Sequence, residues 1–186
     1  MAKLILIRGP PGSGKSTISS LVARNAKNTI VISLDAFIYG VDWGNIKKNK
    51  HLERDRFIQP IIVDLLRKRK NVIVDAVQGG PKTMDKLFFY KRIARETKVK
   101  FHLINLVASK NITVKRVKVR ENHPANLTMK EARYFYDFHF KVKIKEGLFI
   151  DTEYLNKFKC VRQVIDYCNL IPQFPIKIRK IYKYQK

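Results

Sequence analysis

Acidic residues are scarce in this chain of 186 residues: 15 Asp and Glu stand against 39 Lys and Arg, giving a formal net charge of +24. Such an excess cannot be neutralised by internal ion pairs. It projects a positive field and favours a polyanionic partner such as a nucleic acid. The alternative is a compositional bias of the source, because Lys, Ile, Asn and Tyr are all abundant. Charge alone favours neither explanation.

Cysteine and long apolar runs are also rare. Cys160 and Cys168 are eight positions apart, a spacing that fits neither a metal site nor a local disulfide and favours a reducing compartment. No apolar run approaches the length of a membrane-spanning helix. The N-terminal "LILI" is too short for the apolar part of a secretory signal. We therefore expect a soluble, cytoplasmic protein without a membrane partner.

Apolar residues are nevertheless sufficient for a core. Hydrophobic residues make up 45% of the chain, which argues against global disorder and, at this length, favours one domain. Short apolar runs without polar alternation are each followed by a helix-like segment, which predicts a parallel sheet with helices on both faces. The predicted class is α/β, with five strands in "KLILIRG", "TIVISLD", "NVIVDA", "VKFHLINLV" and "LFIDT".

Helices are predicted between the strands from apolar residues at helical spacing. Thr128 and Glu131 form a capping box before "MKEARYFYDFHFK". We assign the aromatic residues of that segment, and Trp43, to the core rather than to base stacking. The basic, proline-punctuated tail sets the predicted boundaries: a domain over 1–171 and an extension over 172–186. The predicted helices cover 16 to about 27, 52–69, 85–96, 129–141 and 154–168, and 111–121 is predicted to be a helix or a basic segment.

The stretch "GPPGSGKST" has three glycines and two prolines, so it suits neither a helix nor a strand. It lies between a predicted strand and a predicted helix, the context of the phosphate-binding loop G-x-x-x-x-G-K-[ST]. Glycines let successive N–H groups point at one anion, and the following helix adds its dipole. An ordinary strand–helix turn is the alternative interpretation. A dinucleotide-binding fold is excluded, because Thr17 stands where its motif has a third glycine. The stretch predicts nucleoside triphosphate binding by Gly12, Ser13, Gly14, Lys15, Ser16 and Thr17.

Individual roles follow from this motif. Lys15 is expected to reach the β- and γ-phosphates, the Ser16 hydroxyl to ligate Mg²⁺, and Thr17 to reach an inner phosphate. Asp75 ends the third predicted strand, where an acid can orient the Mg²⁺ shell or the Lys15 loop.

Asp35 and a pair of arginines are the remaining candidates for chemistry. Asp35 ends the second predicted strand, and a carboxylate at that edge can deprotonate an acceptor hydroxyl; an N-cap is the alternative. Arg116 and Arg120 are four residues apart in "VKRVKVREN", so a helix would place them on one side. They predict a small basic lid over the phosphates, the alternative being a solvated basic face.

These residues, in this element order, resemble the kinase module of polynucleotide 5′-hydroxyl kinases, the bacteriophage type in particular. The resemblance spans roughly residues 1–170. It implies that Asp35 is the general base for a 5′-hydroxyl and that Arg120, with Arg116 beside it, stabilises the donor phosphates. One departure concerns the acceptor, because the family has a phosphate-binding arginine where this chain has Ile38. The basic segment "KKNKHLERDR" is a candidate substitute.

The predicted function is therefore transfer of the γ-phosphoryl group of a nucleoside triphosphate, with Mg²⁺, to the 5′-hydroxyl end of RNA or DNA. A small-molecule or nucleoside kinase of the same fold is one alternative. A nucleic-acid-stimulated NTPase is another, and it would hydrolyse the nucleotide without forming a phosphorylated product.

Overall fold

A computed structural model describes residues 1–44, 50–76, 79–119 and 127–173. It confirms the predicted five-stranded sheet, in which every strand pairs parallel with its neighbours in the order β2-β3-β1-β4-β5. The strand that precedes the glycine loop is therefore the central one, and all the strands end at the same edge. The strands are β1 (Lys3–Arg8), β2 (Thr29–Ser33), β3 (Asn71–Ala76), β4 (Lys100–Val107) and β5 (Leu148–Asp151).

Helices connect successive strands, as predicted, and most begin with a side-chain cap. Ser109 and Asn156 accept hydrogen bonds from first-turn N–H groups, and Thr128 and Glu131 form the expected capping box. The helices are α1 (Lys15–Asn25), α2 (Leu34–Gly40), α3 (Lys50–Arg67), α4 (Thr83–Glu96), α5 (Lys110–Lys118), α6 (Met129–Phe140) and α7 (Lys157–Tyr167).

Apolar side chains cover both faces of the central strand. Leu4 and Leu6 face α3 and α4, whereas Ile5 and Ile7 face α1 and α7. Successive side chains of a strand point to opposite faces, so a strand buried on both sides is apolar throughout. This explains the unbroken "LILI" run. Among the described residues, no helix is both long and apolar enough to cross a bilayer.

The second strand is shorter than predicted. It ends at Ser33, and Asp35 lies in the first turn of α2 instead of ending the strand. The Ser33 hydroxyl accepts a hydrogen bond from the backbone N–H of Ala36 at 3.4 Å, so Ser33 is the N-cap and Asp35 is not. The expectation of a strand through Asp35 was wrong because the cap turns the chain two residues earlier.

The assignment of aromatic residues to the core was right for Trp43 and wrong for most of α6. Trp43 is buried, and its indole N–H donates to the Ile38 carbonyl at 2.8 Å. In α6 only Ala132 and His139 are buried, and the Tyr134 side chain is 58% exposed. The reason is that α6 packs mainly on α5, through Ala132 against two valines, so much of its circumference faces outward.

The predicted C-terminal extension begins in contact with the domain. Gln173 donates its backbone N–H to the Asn25 carbonyl at 2.8 Å, and Ile171 accepts from Lys27 at the same distance. Pro172 forms an isolated antiparallel bridge with Ala26. The rest of the extension, 174–186, lies outside the described residues.

Candidate active site

The glycine loop has the geometry of an anion-binding loop. Gly12 and Gly14 have φ angles of 81° and 89°, a left-handed conformation that L side chains rarely adopt. A Cβ on Gly12 would lie 2.2 Å from the Thr113 carbonyl oxygen, so the loop packs directly against α5. Gly14 is the N-cap of α1 and no acidic residue lies in the first turn. The first N–H groups and the positive end of the helix dipole thus favour an anion.

Lys15 spans this loop from the first turn of α1. Lys15 is 6% exposed, and its Nζ donates a hydrogen bond to the Pro10 carbonyl at 3.1 Å. The Ser13 backbone N–H donates to the same carbonyl at 3.2 Å. The ammonium group is therefore held over the loop by the backbone, at the position where the sequence motif requires a cation.

Ser16 and Asp75, the predicted metal ligands, line one cavity. This cavity has a volume of about 450 Å³, and Ser33 lies on its wall as well. Asp75 is 3% exposed and pairs in the sheet with Ile7 and Ser33, so its carboxylate is fixed beside the end of the central strand. Mg²⁺ usually takes one or two protein oxygens and completes its shell with phosphates and water. A hydroxyl and a carboxylate at one cavity fit that requirement.

Asp35 and Tyr39 lie one turn apart on α2. Burial raises the pKa of Tyr39, and the charges of Asp35 and Glu131 raise it further. The charged carboxylates of α2 and of the first turn of α6 thus both act on Tyr39. Ile38, by contrast, is 4% exposed and belongs to the core.

Arg116 is connected to the glycine loop through Thr152. Its guanidinium donates to the Thr152 hydroxyl at 3.1 Å and to the Thr152 carbonyl at 2.7 Å. The same hydroxyl donates to the Ser13 carbonyl at 3.1 Å. Arg116 therefore braces the loop from α5. Arg120, its predicted partner, lies outside the described residues, so the predicted pairing of the two stays a prediction.

Sequence reasoning missed a buried arginine beside the loop. Arg8 ends the central strand, is 4% exposed and donates to the Asn105 side chain at 3.0 Å. Burial lowers its pKa to about 10. The available signal was a charged residue directly after "LILI", where a buried strand meets the phosphate-binding loop.

The basic segment "KKNKHLERDR", the candidate substitute for the acceptor arginine, extends into α3. Arg54, one of the basic residues of this candidate segment, is 4% exposed and pairs with Asp55. Arg56 is an exposed charge, paired with Glu53 on the same helix. Lys47 and Lys48 lie outside the described residues.

Residues 4–138 match the family described as "AAA domain". The chain belongs to this family. An adenylate kinase from Thermococcus sibiricus is 29% identical over 126 residues, which are 62% of this chain and 55% of that protein. The chain thus spans about half the length of the curated relative that it matches.

Solved structures share the α/β P-loop fold. An APS kinase of Mycobacterium tuberculosis, in complex with AMPPNP and APS, has a TM-score of 0.67 at 16% identity, covering 90% of this chain and 98% of that one. A gluconokinase from Sinorhizobium meliloti has a TM-score of 0.61 at 18% identity, covering 90% and 91%. A chain of the Pnkp1/Rnl/Hen1 RNA repair complex has a TM-score of 0.55 at 18% identity, covering 75% of this chain and 45% of that one. At these identities, the likeness establishes the fold.

Proposed function

We propose that the protein is a kinase that transfers the γ-phosphoryl group of a Mg²⁺-bound nucleoside triphosphate to the 5′-hydroxyl of an RNA or DNA end. The observation that carries the proposal is the position of Asp35. It lies on α2, at the same edge of the sheet as the phosphate-binding loop but on a separate element. A hydrolase needs only to position water, whereas a separate carboxylate at this edge of the sheet can serve an acceptor hydroxyl.

Each side chain has a defined task in this reaction. The Asp35 carboxylate takes the proton of the acceptor hydroxyl while the oxygen of that hydroxyl forms a bond to the γ-phosphorus. The bond from that phosphorus to the β–γ bridging oxygen breaks, and the nucleoside diphosphate leaves. Lys15 and the N–H groups of the loop stabilise the charge on the transferred group. Ser16 and Asp75 would hold Mg²⁺, which would supply positive charge to neutralise the phosphates.

The polynucleotide acceptor is supported by the net charge of +24 and by the fold shared with a chain of an RNA repair complex. A small-molecule or nucleotide kinase is the competing proposal. Its support is the adenylate kinase relative and the gluconokinase and APS kinase of the same fold. A screen with labelled ATP and GTP against 5′-hydroxyl oligonucleotides, nucleosides and small alcohols separates the two.

Salt should distinguish an oligonucleotide acceptor from a nucleoside. Basic side chains that contact the strand release condensed counterions, so log affinity should fall linearly with log salt, by about 0.7 per phosphate contacted. We expect the KM for an oligonucleotide to rise with salt, and the KM for Mg-bound nucleotide to rise much less. Equal kcat/KM for oligonucleotide and nucleoside, with no salt dependence of their ratio, would contradict the polynucleotide proposal.

Arg116 should act on nucleotide binding jointly with Thr152. Arg116→Ala and Thr152→Val each remove bonds of the same connection to Ser13. The double variant should therefore lose less affinity for Mg-bound nucleotide than the two single losses combined, with a coupling of about 1 kcal/mol. Calorimetric titration of the variants measures it. If the affinity loss of the double variant equals the sum of the two single losses, Arg116 instead contacts the phosphates directly.

A further inference from the structure

Two aromatic rings of α6 form a stacked pair that is open to solvent. The ring centroids of Tyr134 and Phe138 are 5.9 Å apart, and the ring planes differ by 20°. The two residues are one helical turn apart, and Tyr134 is 58% exposed. Aromatic rings gain free energy when they are removed from water, and a group of exposed rings on one element is typical of a binding surface. The pair is therefore a candidate contact for a ligand.

Phe138 is held against the loop that follows β3. Its carbonyl accepts a hydrogen bond from the Gly80 N–H at 2.8 Å, and a Cβ on Gly80 would collide with the Phe138 ring. Only a glycine leaves room for the ring at this point, so the ring and the loop are in direct contact. The Phe138 ring thus has a fixed position in the fold before any ligand binds.

The contacts of α6 place the stacked pair at the edge of the sheet where the glycine loop lies. Gly80 follows β3, and Ala108 follows β4 and accepts a hydrogen bond from the Tyr136 hydroxyl at 3.2 Å. These two strands flank β1, which leads into the glycine loop. The carboxyl edge of the sheet therefore carries both α6 and the candidate active site.

The acidic residues of α6 are already engaged, so its remaining charge is positive. Glu131 belongs to the capping box, and Asp137 forms an ion pair with Lys110 at 2.6 Å. Lys130 and Arg133 are exposed, and within the part of the chain that the structure describes neither of them forms an ion pair. The surplus cations favour an anionic ligand, and the parallel rings favour one with a flat face.

We propose that Tyr134 and Phe138 form a stacking site for an unpaired base of a single-stranded RNA or DNA. A base presents a flat π-face to an aromatic ring, and the phosphates of the strand favour cations beside that ring. Lys141 supplies one such cation, because its Nζ lies 5.6 Å from the centroid of the Phe138 ring. The identity of this strand as the acceptor rests on the proposed function, whereas the stacking site requires only an unpaired base at α6.

Binding of matched oligonucleotides tests the site without relying on turnover. Fluorescence anisotropy with the full chain compares a labelled oligothymidylate with an abasic strand of the same length, which keeps every phosphate but has no bases. We expect the wild type to prefer the strand with bases. Tyr134→Ala should lower the affinity for that strand about 5- to 100-fold, the range of one base–aromatic stack. Affinity for the abasic strand and its salt dependence should stay unchanged, because no phosphate contact is removed.

Two further variants control for the ring and for its position. Tyr134→Phe keeps an aromatic ring and should keep most of the preference. Tyr167→Ala removes another exposed tyrosine, which is 42% exposed and ends α7. The Tyr167 ring contacts His102 near the beginning of β4, at the opposite edge of the sheet. This variant should bind both strands like the wild type.

The outcomes separate the stacking site from the proposed function. A wild type that binds both strands equally would overturn the stacking site and indicate a protein partner for the rings. An equal loss of affinity in Tyr134→Ala and Tyr167→Ala would overturn it as well, as would a Tyr134→Ala variant that loses as much affinity for a duplex as for the single strand. A base preference that depends on Tyr134, in a protein that phosphorylates no 5′-hydroxyl, would retain the site and refute the proposed function.

Discussion

Lys15→Met should lower phosphoryl transfer by about 10²- to 10³-fold, the cost of removing one donor that stabilises charge in a transition state. Methionine keeps the aliphatic stem of the lysine, which is 6% exposed, so packing at the start of α1 is preserved. The hydrogen bond to the Pro10 carbonyl is lost, at a cost of about 1 kcal/mol. Steady-state transfer from labelled ATP, together with a thermal unfolding curve, measures both effects.

Lys159→Met is the matched control for this substitution. Lys159 is an exposed residue of α7, so the variant loses the same charge without touching the loop. Its transfer rate should stay near that of the wild type. A folded Lys15→Met protein with substantial transfer would show that the glycine loop is not the active site.

Asp35→Asn should lower transfer by about 10²-fold or more, because the amide keeps the shape of the carboxylate but cannot accept the proton. Affinity for Mg-bound nucleotide should change little, since Asp35 lies on α2 and not on the wall formed by Ser16 and Asp75. Single-turnover transfer and nucleotide titration separate these quantities.

Asp64→Asn provides the corresponding control, because Asp64 forms an exposed pair with Lys68 on α3. That variant should transfer at the wild-type rate. Loss of nucleotide affinity in Asp35→Asn would assign Asp35 to the metal shell and leave the base to be found on another residue.

Local patterns in the sequence determined the framework of the site. The order of strands and helices follows from apolar periodicity, and the glycine loop follows from residues that must be small, cationic or hydroxylic at fixed spacing. The capping box of Thr128 and Glu131 was predictable for the same reason, since both partners lie within one turn. Such features depend on neighbours in the chain, so no knowledge of distant contacts is needed.

Positions that depend on distant partners were decided by the tertiary structure. Asp35 was expected at the end of a strand but lies in a helix, because Ser33 caps α2 and ends β2. Arg116 was expected at the phosphates, and its bonds to Thr152 join residues 36 positions apart. Burial of Arg54 likewise depends on how α3 packs. The sequence shows that a side chain is cationic, but the packing of the fold decides whether that side chain contacts water, another residue or a ligand.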